Sequence, residues 1–254
     1  APSSARRLSR YTFFEFGNVC KASEMALVSS LPKCAIENDI KIAFFGENPA
    51  LQEGDYATLG VNEIDASQLG QLNTLQNENL NWIAENVSHK NHIDQYLYPL
   101  EDKFLESQIN MYYLGPVWND WGIFENALFS VLNGLEVRVD QEKITGDLSN
   151  ASMLDEDFTN INMMIKYYKF GFGRATDFCN ELIRNGKLTR FKAVDIVKEF
   201  DGICGDQIIN KYCLWIGITV EVFWNTLNCK FVNKDLFDID LKGLNRPKPK
   251  FKVG

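Results

Sequence analysis

Two histidines are all the imidazole this chain contains, His89 and His92, and both lie in a polar stretch. Neither has a carboxylate or cysteine partner at ligand spacing, so a histidine-based triad or metal site has little to draw on. Of the six cysteines (Cys20, Cys34, Cys179, Cys204, Cys213, Cys229), no two form a C-x-x-C pair, which excludes a zinc ribbon or knuckle. They sit mostly among apolar residues, where a free thiol behaves as a small hydrophobe. A reduced, cytoplasmic protein is the expectation. No apolar run approaches the roughly 20 residues needed to span a bilayer, so membrane insertion is not expected. No signal-peptide pattern opens the sequence. A basic excess is missing too: the net charge is −8, without the footprint of a nucleic-acid binder.

What is present is enough for a substantial core. The chain has 254 residues, 45% of them apolar and 13% aromatic, one large domain or two small ones. Charge is unevenly placed. Arg6, Arg7 and Arg10 near the start, and Arg246, Lys248, Lys250 and Lys252 near the end, are accompanied by no acid. Residues 11–244 therefore hold −15. Basic ends of this kind read as solvated termini, and the abrupt Ala1-Pro2-Ser3-Ser4 reads as a processed or truncated start.

Punctuation along the chain predicts its elements. Ser23 caps a helix to about Ser30, Pro32 interrupts or restarts it, and a second helical stretch reaches Asn38. Residues 40–45 read as a buried strand that exits sharply at Gly46. Ligands of open α/β sheets gather beyond such strand ends, so Gly46-Glu47-Asn48-Pro49 occupies a functional address. Residues 52–110 are polar and weakly periodic, with a short helix over 77–85. A second short strand covers 111–115, and a helix runs from Phe124 to Leu132. Residues 140–156 read as loop. From Asp157 the pattern is helical: about 158–168, then to Arg184, then from a Thr189 cap to Phe200, 206–215, and from a Thr219 cap to Asn228. Short connections between amphipathic helices make a compact array.

Several segments then share one likeness. Gly17-Asn18-Val19-Cys20-Lys21, Phe45-Gly46-Glu47-Asn48-Pro49-Ala50-Leu51, Tyr113-Leu114-Gly115 and Lys169-Phe170-Gly171-Phe172-Gly173-Arg174-Ala175-Thr176-Asp177 carry it. It continues through Ile183-Arg184-Asn185-Gly186-Lys187-Leu188-Thr189-Arg190, Phe200-Asp201-Gly202 and Glu221-Val222-Phe223-Trp224. Together they resemble the N-acetyl sugar amidotransferases of bacterial surface-polysaccharide biosynthesis, over about residues 11–230. The resemblance implies an α/β fold: a partial PP-loop (adenine nucleotide alpha hydrolase-like) sheet domain over 1–135, then a helical C-terminal domain over 136–230. A basic tail over 231–254 follows. It implies an ATP- and Mg²⁺-dependent, AMP-forming conversion of the N-acetyl group of a nucleotide-linked sugar into an acetamidino group. Similar enzymes serve lipopolysaccharide O-antigen, flagellin-type sugar or related surface-glycan pathways. Ammonia would come from a glutaminase with a synthase-like delivering partner, and a homo-oligomer is compatible with this. The family's S-G-G-x-D-S loop, whose N–H groups cradle pyrophosphate, is absent, as is any Gly-Gly pair. By this resemblance the chain looks like the C-terminal two-thirds of such an enzyme, as a fragment, a cleavage product or one half of a split protein.

By the same resemblance, Glu47 and Asn48 are the catalytic candidates, and Gly46 and Cys20 the nucleotide-binding ones. Lys169, Gly171, Gly173, Arg174, Asp177 and Trp118 are the substrate-binding candidates; no metal-ligand set is assigned. Each has a plainer reading. Glu47-Asn48 could be an ordinary strand exit. Cys20 could line a site, pack, or transfer sulfur as in tRNA 2-thiouridylases. The Gly171-x-Gly173 turn offers exposed N–H groups and two cations to a phosphate, or is a simple elbow with an Arg174–Asp177 pair. Trp118, Trp121, Tyr112 and Tyr113 could stack on a sugar or belong to the core. Two rival functions stay open: a non-catalytic binding or assembly module, and a PP-loop RNA sulfurtransferase.

Overall fold

The computed structural model describes residues 2–50, 55–75, 80–87, 89, 92–118, 121–239 and 246–254. Contacts divide the chain into two compact units: Ala1–Tyr11 with Lys21–Trp121, and Thr12–Cys20 with Gly122–Gly254. The dividing line falls inside the first helix, α1 (Pro2–Phe16). Among the described residues the fold is mainly helical, with two small sheets.

The first unit is built on α2 (Lys21–Glu37) and the parallel strands β1 (Ile42–Phe45) and β2 (Asn110–Tyr113). The strands pair in register from Ile42 with Asn110 to Phe45 with Tyr113. Alternation decides which side is buried. Ala43, Met111 and Tyr113 face a core with Val28 and Ala35 of α2 and with Ala66, Leu69 and Leu72. Ile42 and Phe44 point the other way and are 56% and 57% exposed. Parallel strands normally carry cover on both faces; among the described residues this pair has it on one. The 64–66 segment flanks β2, with Tyr113 N–H donating to the Ile64 carbonyl and Ala66 N–H to that of Met111. Two short helices, α3 (Asn81–Asn86) and α4 (Glu101–Ser107), complete the unit.

Local expectations are met with adjustments. Pro32 neither ends nor restarts a helix: it lies buried within a continuous α2. Proline removes the bond its N–H would make to the preceding turn, and the packing of Val28 and Ala35 on either side holds the helix together across that gap. The helix expected over 77–85 is observed at 81–86, and residues 77–79 lie outside the described set.

The second unit is the helical array. It comprises α5 (Ile123–Leu132), the short α6 (Glu142–Thr145), α7 (Thr159–Phe170), α8 (Arg174–Arg184), α9 (Arg190–Phe200), α10 (Asp206–Ile216) and α11 (Val220–Thr226). The Thr189 and Thr219 hydroxyls accept the N–H groups of Lys192 and Val222, as N-caps do. Gly171 and Gly217 close α7 and α10 in left-handed conformation. The core centres on Phe13, whose ring stacks on Phe223 at 5.0 Å and meets Tyr212 edge-on at 6.0 Å. Gly17 (φ +55°) lets the chain turn beneath the Phe231 ring, which a Cβ would approach to 2.7 Å.

Residues 246–254 are not a solvated tail. Lys248–Pro249 (β4) pairs antiparallel with Phe237–Asp238 (β3), and Phe251 packs edge-on against Phe237 at 5.5 Å. Arg246 lies over the Trp224 ring and donates to the Cys204 carbonyl and the Asp206 carboxylate. The apolar residues between the cations draw this end onto the array.

Phe13→Ala should destabilise the protein by about 3–5 kcal/mol, read from chemical denaturation followed at the second unit's tryptophans. A loss below about 1 kcal/mol would mean that the aromatic nucleus is not the core's centre.

Candidate functional site

The most concentrated polar group lies at the elbow between α7 and α8. Gly171 ends α7, and Gly173 starts α8 from extended backbone. The Asp201 carboxylate, just past the end of α9, takes the N–H groups of Gly173 (2.9 Å) and Thr176 (3.2 Å) and the Thr176 hydroxyl (2.6 Å). It is a tertiary N-cap, an anion at a helix start. Only glycine allows this approach comfortably, because a Cβ at 173 would lie 3.0 Å from the carboxylate. The N–H groups expected to await a phosphate are thus already held by a side chain. Asp201 was legible only as a helix stop.

With the cap in place, Arg174 points into the unit. Its guanidinium donates to Asn160 Oδ1 at 3.1 Å, the one hydrogen bond it makes among the described residues, although it carries five N–H donors. Burial depresses its pKa, while the nearby Asp147 and Asp177 carboxylates work in the opposite direction. Asp147 is itself buried, accepting bonds from Ser149 and from the Ser152 N–H. Asp177 does not form the simple pair with Arg174 read from their spacing. Lys166 donates to it at 2.5 Å, and the Lys166 ammonium also lies 5.0 Å from the Phe172 ring centre. Burial pushes the Asp177 carboxyl up, against the pull of Lys166. The result is a partly buried guanidinium with spare donors, walled by carboxylates and an amide. Chemically it can grip a planar or bidentate acceptor.

Lys169 is engaged elsewhere. Its ammonium donates to the carbonyls of Phe16 (2.6 Å) and Gly17 (3.0 Å), closing the end of α1. Burial lowers its pKa. Cys20 is buried in the same unit, its sulfur 3.6 Å from the Thr159 hydroxyl and its N–H donating to Asn18 Oδ1. The neighbouring Lys21 sends its ammonium to the Thr74 carbonyl in the first unit. The remaining buried thiols are unreactive by environment: burial pushes Cys204 up to about 12 and Cys213 to about 11.

In the first unit, Gly46, Glu47 and Asn48 follow β1, with Glu47 exposed and Asn48 buried. Trp118 is 63% exposed; Asp120 lies outside the described residues. The elbow therefore gathers Gly171, Gly173, Arg174 and Asp177. Asn160 and Lys166 join them from α7, and Asp147 and Asp201 from loops. Asn160, Lys166 and Asp147 carried no signal of their own, and Asp201 only that of a helix stop, because their roles depend on contacts across 11 to 28 residues of sequence or on a neighbouring loop.

Residues 152–245 match the family model for the LPS biosynthesis protein WbpG-like C-terminal domain. Over this segment the chain is similar to that domain. No curated protein matches the chain. The WbpG-like segment contains α7 to α11 and the whole elbow except Asp147. That model describes the C-terminal domain of a lipopolysaccharide-biosynthesis protein. Among the described residues no helix is long and apolar enough to cross a membrane.

Two measurements probe the site's framework. Asp201→Ala strips three donors of their acceptor and should cost about 1–3 kcal/mol, with Asp201→Asn recovering part of it. Equal stability of the alanine variant and the parent in urea would mean that the cap is idle. The second concerns Asp157, which Lys211 (2.8 Å) and Arg138 (3.5 Å) hold below the ordinary 3.8, with burial opposing them. A depressed carboxylate stabilises the fold above its unfolded pKa, and that contribution fades as pH falls through the folded value. Asp157→Asn should therefore melt below the parent at neutral pH, and the gap should close in strong acid. A gap independent of pH would remove the ion pairs as its cause.

Proposed function

We propose that this chain supplies the sugar-nucleotide-binding part of an amidotransferase acting in lipopolysaccharide biosynthesis. The observation that carries the reading is Arg174: a partly buried guanidinium, fixed by Asn160 and the Asp201 cap, with donors to spare inside the WbpG-like segment. A nucleotide-linked sugar presents a diphosphate, the kind of acceptor such a group grips in bidentate fashion. Thr176 and Asp201 keep the first turn of α8 rigid, so the guanidinium is preorganised.

The reaction proposed is conversion of the sugar's N-acetyl group to acetamidino. The amide oxygen attacks the α-phosphorus of ATP and pyrophosphate leaves. Ammonia then adds to the activated carbon, and AMP departs with the former amide oxygen. Ammonia would be drawn from a glutaminase partner through a synthase-like protein. The S-G-G-x-D-S loop that would hold the ATP–Mg²⁺ side of that reaction is not part of this sequence. Among the described residues no trio of His, Cys, Asp or Glu could hold a metal ion. Adenylation is therefore assigned to no residue here. Cys20, packed in the core, gives the sulfurtransferase reading no support.

Calorimetric titration with a nucleotide-linked N-acetyl sugar tests the binding step. Micromolar affinity is expected, weakened about tenfold or more by Arg174→Ala, with Arg174→Lys intermediate. An Arg174→Ala variant that remains folded and binds as well as the parent would sink the assignment. The chemistry is tested with amide-¹⁸O sugar, ATP, Mg²⁺ and ammonia, by adding this chain to any protein that supplies the nucleotide site. Label should appear in AMP. Sugar binding with no label transfer would favour a non-catalytic binding module.

A further inference from the structure

We infer that α5 is the contact face through which two copies of this chain associate. Its first turn is well anchored within the second unit. The Ile123 N–H donates to the Glu181 carboxylate at 2.8 Å, Lys187 pairs with Glu125, and the Phe124 ring lies 4.5 Å from that of Phe178. Beyond that root the helix is bare. It is strongly apolar, yet none of its residues is buried. Leu128, Phe129 and Leu132 are 62%, 68% and 76% exposed, and Val131 42%. A helix apolar on most of its circumference, held at one end and uncovered along the rest, is not a stable surface for a monomer in water.

The chemistry of the patch selects the occupant. Residues 126–135 contain no charged side chain, so two copies can bring this stretch together without like charges meeting, although each carries −8. An anionic lipid surface is disfavoured by the same composition: interfacial helices rely on Lys and Arg along their polar face, and here there is none. Phe124, Leu128, Val131 and Leu132 fall at i, i+4, i+7 and i+8, one seam of a helix. Such a seam is complementary to itself when two helices cross antiparallel about a twofold axis. The exposed parts of these side chains with Phe129 and Leu135 come to on the order of 600 Å² per copy, taking about 150–250 Å² for a large side chain. A specific interface needs about 800 Å² per partner with its polar rim included. The patch formed by this seam with Phe129 and Leu135 supplies most of that as its apolar centre.

Sedimentation velocity on the full chain, from about 1 to about 100 µM, tests the inference without reference to catalysis. A monomer–dimer transition is expected in that range, and Leu132→Glu should raise the dimer dissociation constant at least about tenfold. Leu214→Glu, at an equally exposed leucine of α10, should leave it unchanged. Hydrogen exchange on the parent protein provides a readout that needs no variant: amides of 123–135 should gain protection as concentration rises. A monomer throughout, or a dimer indifferent to Leu132→Glu with unprotected 123–135, would overturn the proposal. Concentration-independent mass together with co-sedimentation on anionic vesicles would overturn it in favour of a lipid surface.

Discussion

The Asp201 carboxylate joins three parts of the helical unit that would otherwise be independent. It ends the α9 segment, begins α8 and fixes the glycine elbow that follows α7. A helix start leaves N–H groups without partners, and here a side chain 25 to 28 residues away supplies the acceptor. Because α8 begins where that carboxylate holds it, Arg174 enters the unit beside Asn160 and Asp147 rather than lying on the surface. The charge balance around the guanidinium, and the Lys166–Asp177 pair next to it, follow from this placement.

The helices after residue 157 were legible because their ends are written in local chemistry. Thr189 and Thr219 as caps and Gly171 and Gly217 as stops act within a turn of themselves. Pro32 misled because its cost is local while the packing that offsets it is not. The elbow was visible as Gly-x-Gly followed by Arg174, but its meaning was not. Asn160, Asp147 and Asp201 are ordinary polar residues until the fold brings them within reach, and periodicity carries no trace of that. Lys169 shows the reverse: a cation beside a glycine turn suggested a ligand, and two main-chain carbonyls claim it.

The two units differ in how they satisfy their backbone. The helical unit closes most of its ends with threonine, glycine or aspartate. The first unit rests on a pair of parallel strands, one side of which is covered by α2 and the other lined by exposed Ile42 and Phe44. Most of its interior comes from one helix, two strands and the 66–72 turns, with Tyr113 reaching the Thr58 carbonyl at 3.0 Å.

The Phe13 segment bears on the timing of folding. Residues 12–20 belong to the unit that otherwise begins at Gly122, and Lys230 returns to the Phe14 carbonyl across 216 residues of chain. During synthesis this early segment leaves the ribosome long before its partners exist, a wait of about 10–40 s at ordinary elongation rates. Phe13, Val19 and Cys20 spend that interval without the core that later encloses them. The contact that organises the helical array is thus among the last that can form.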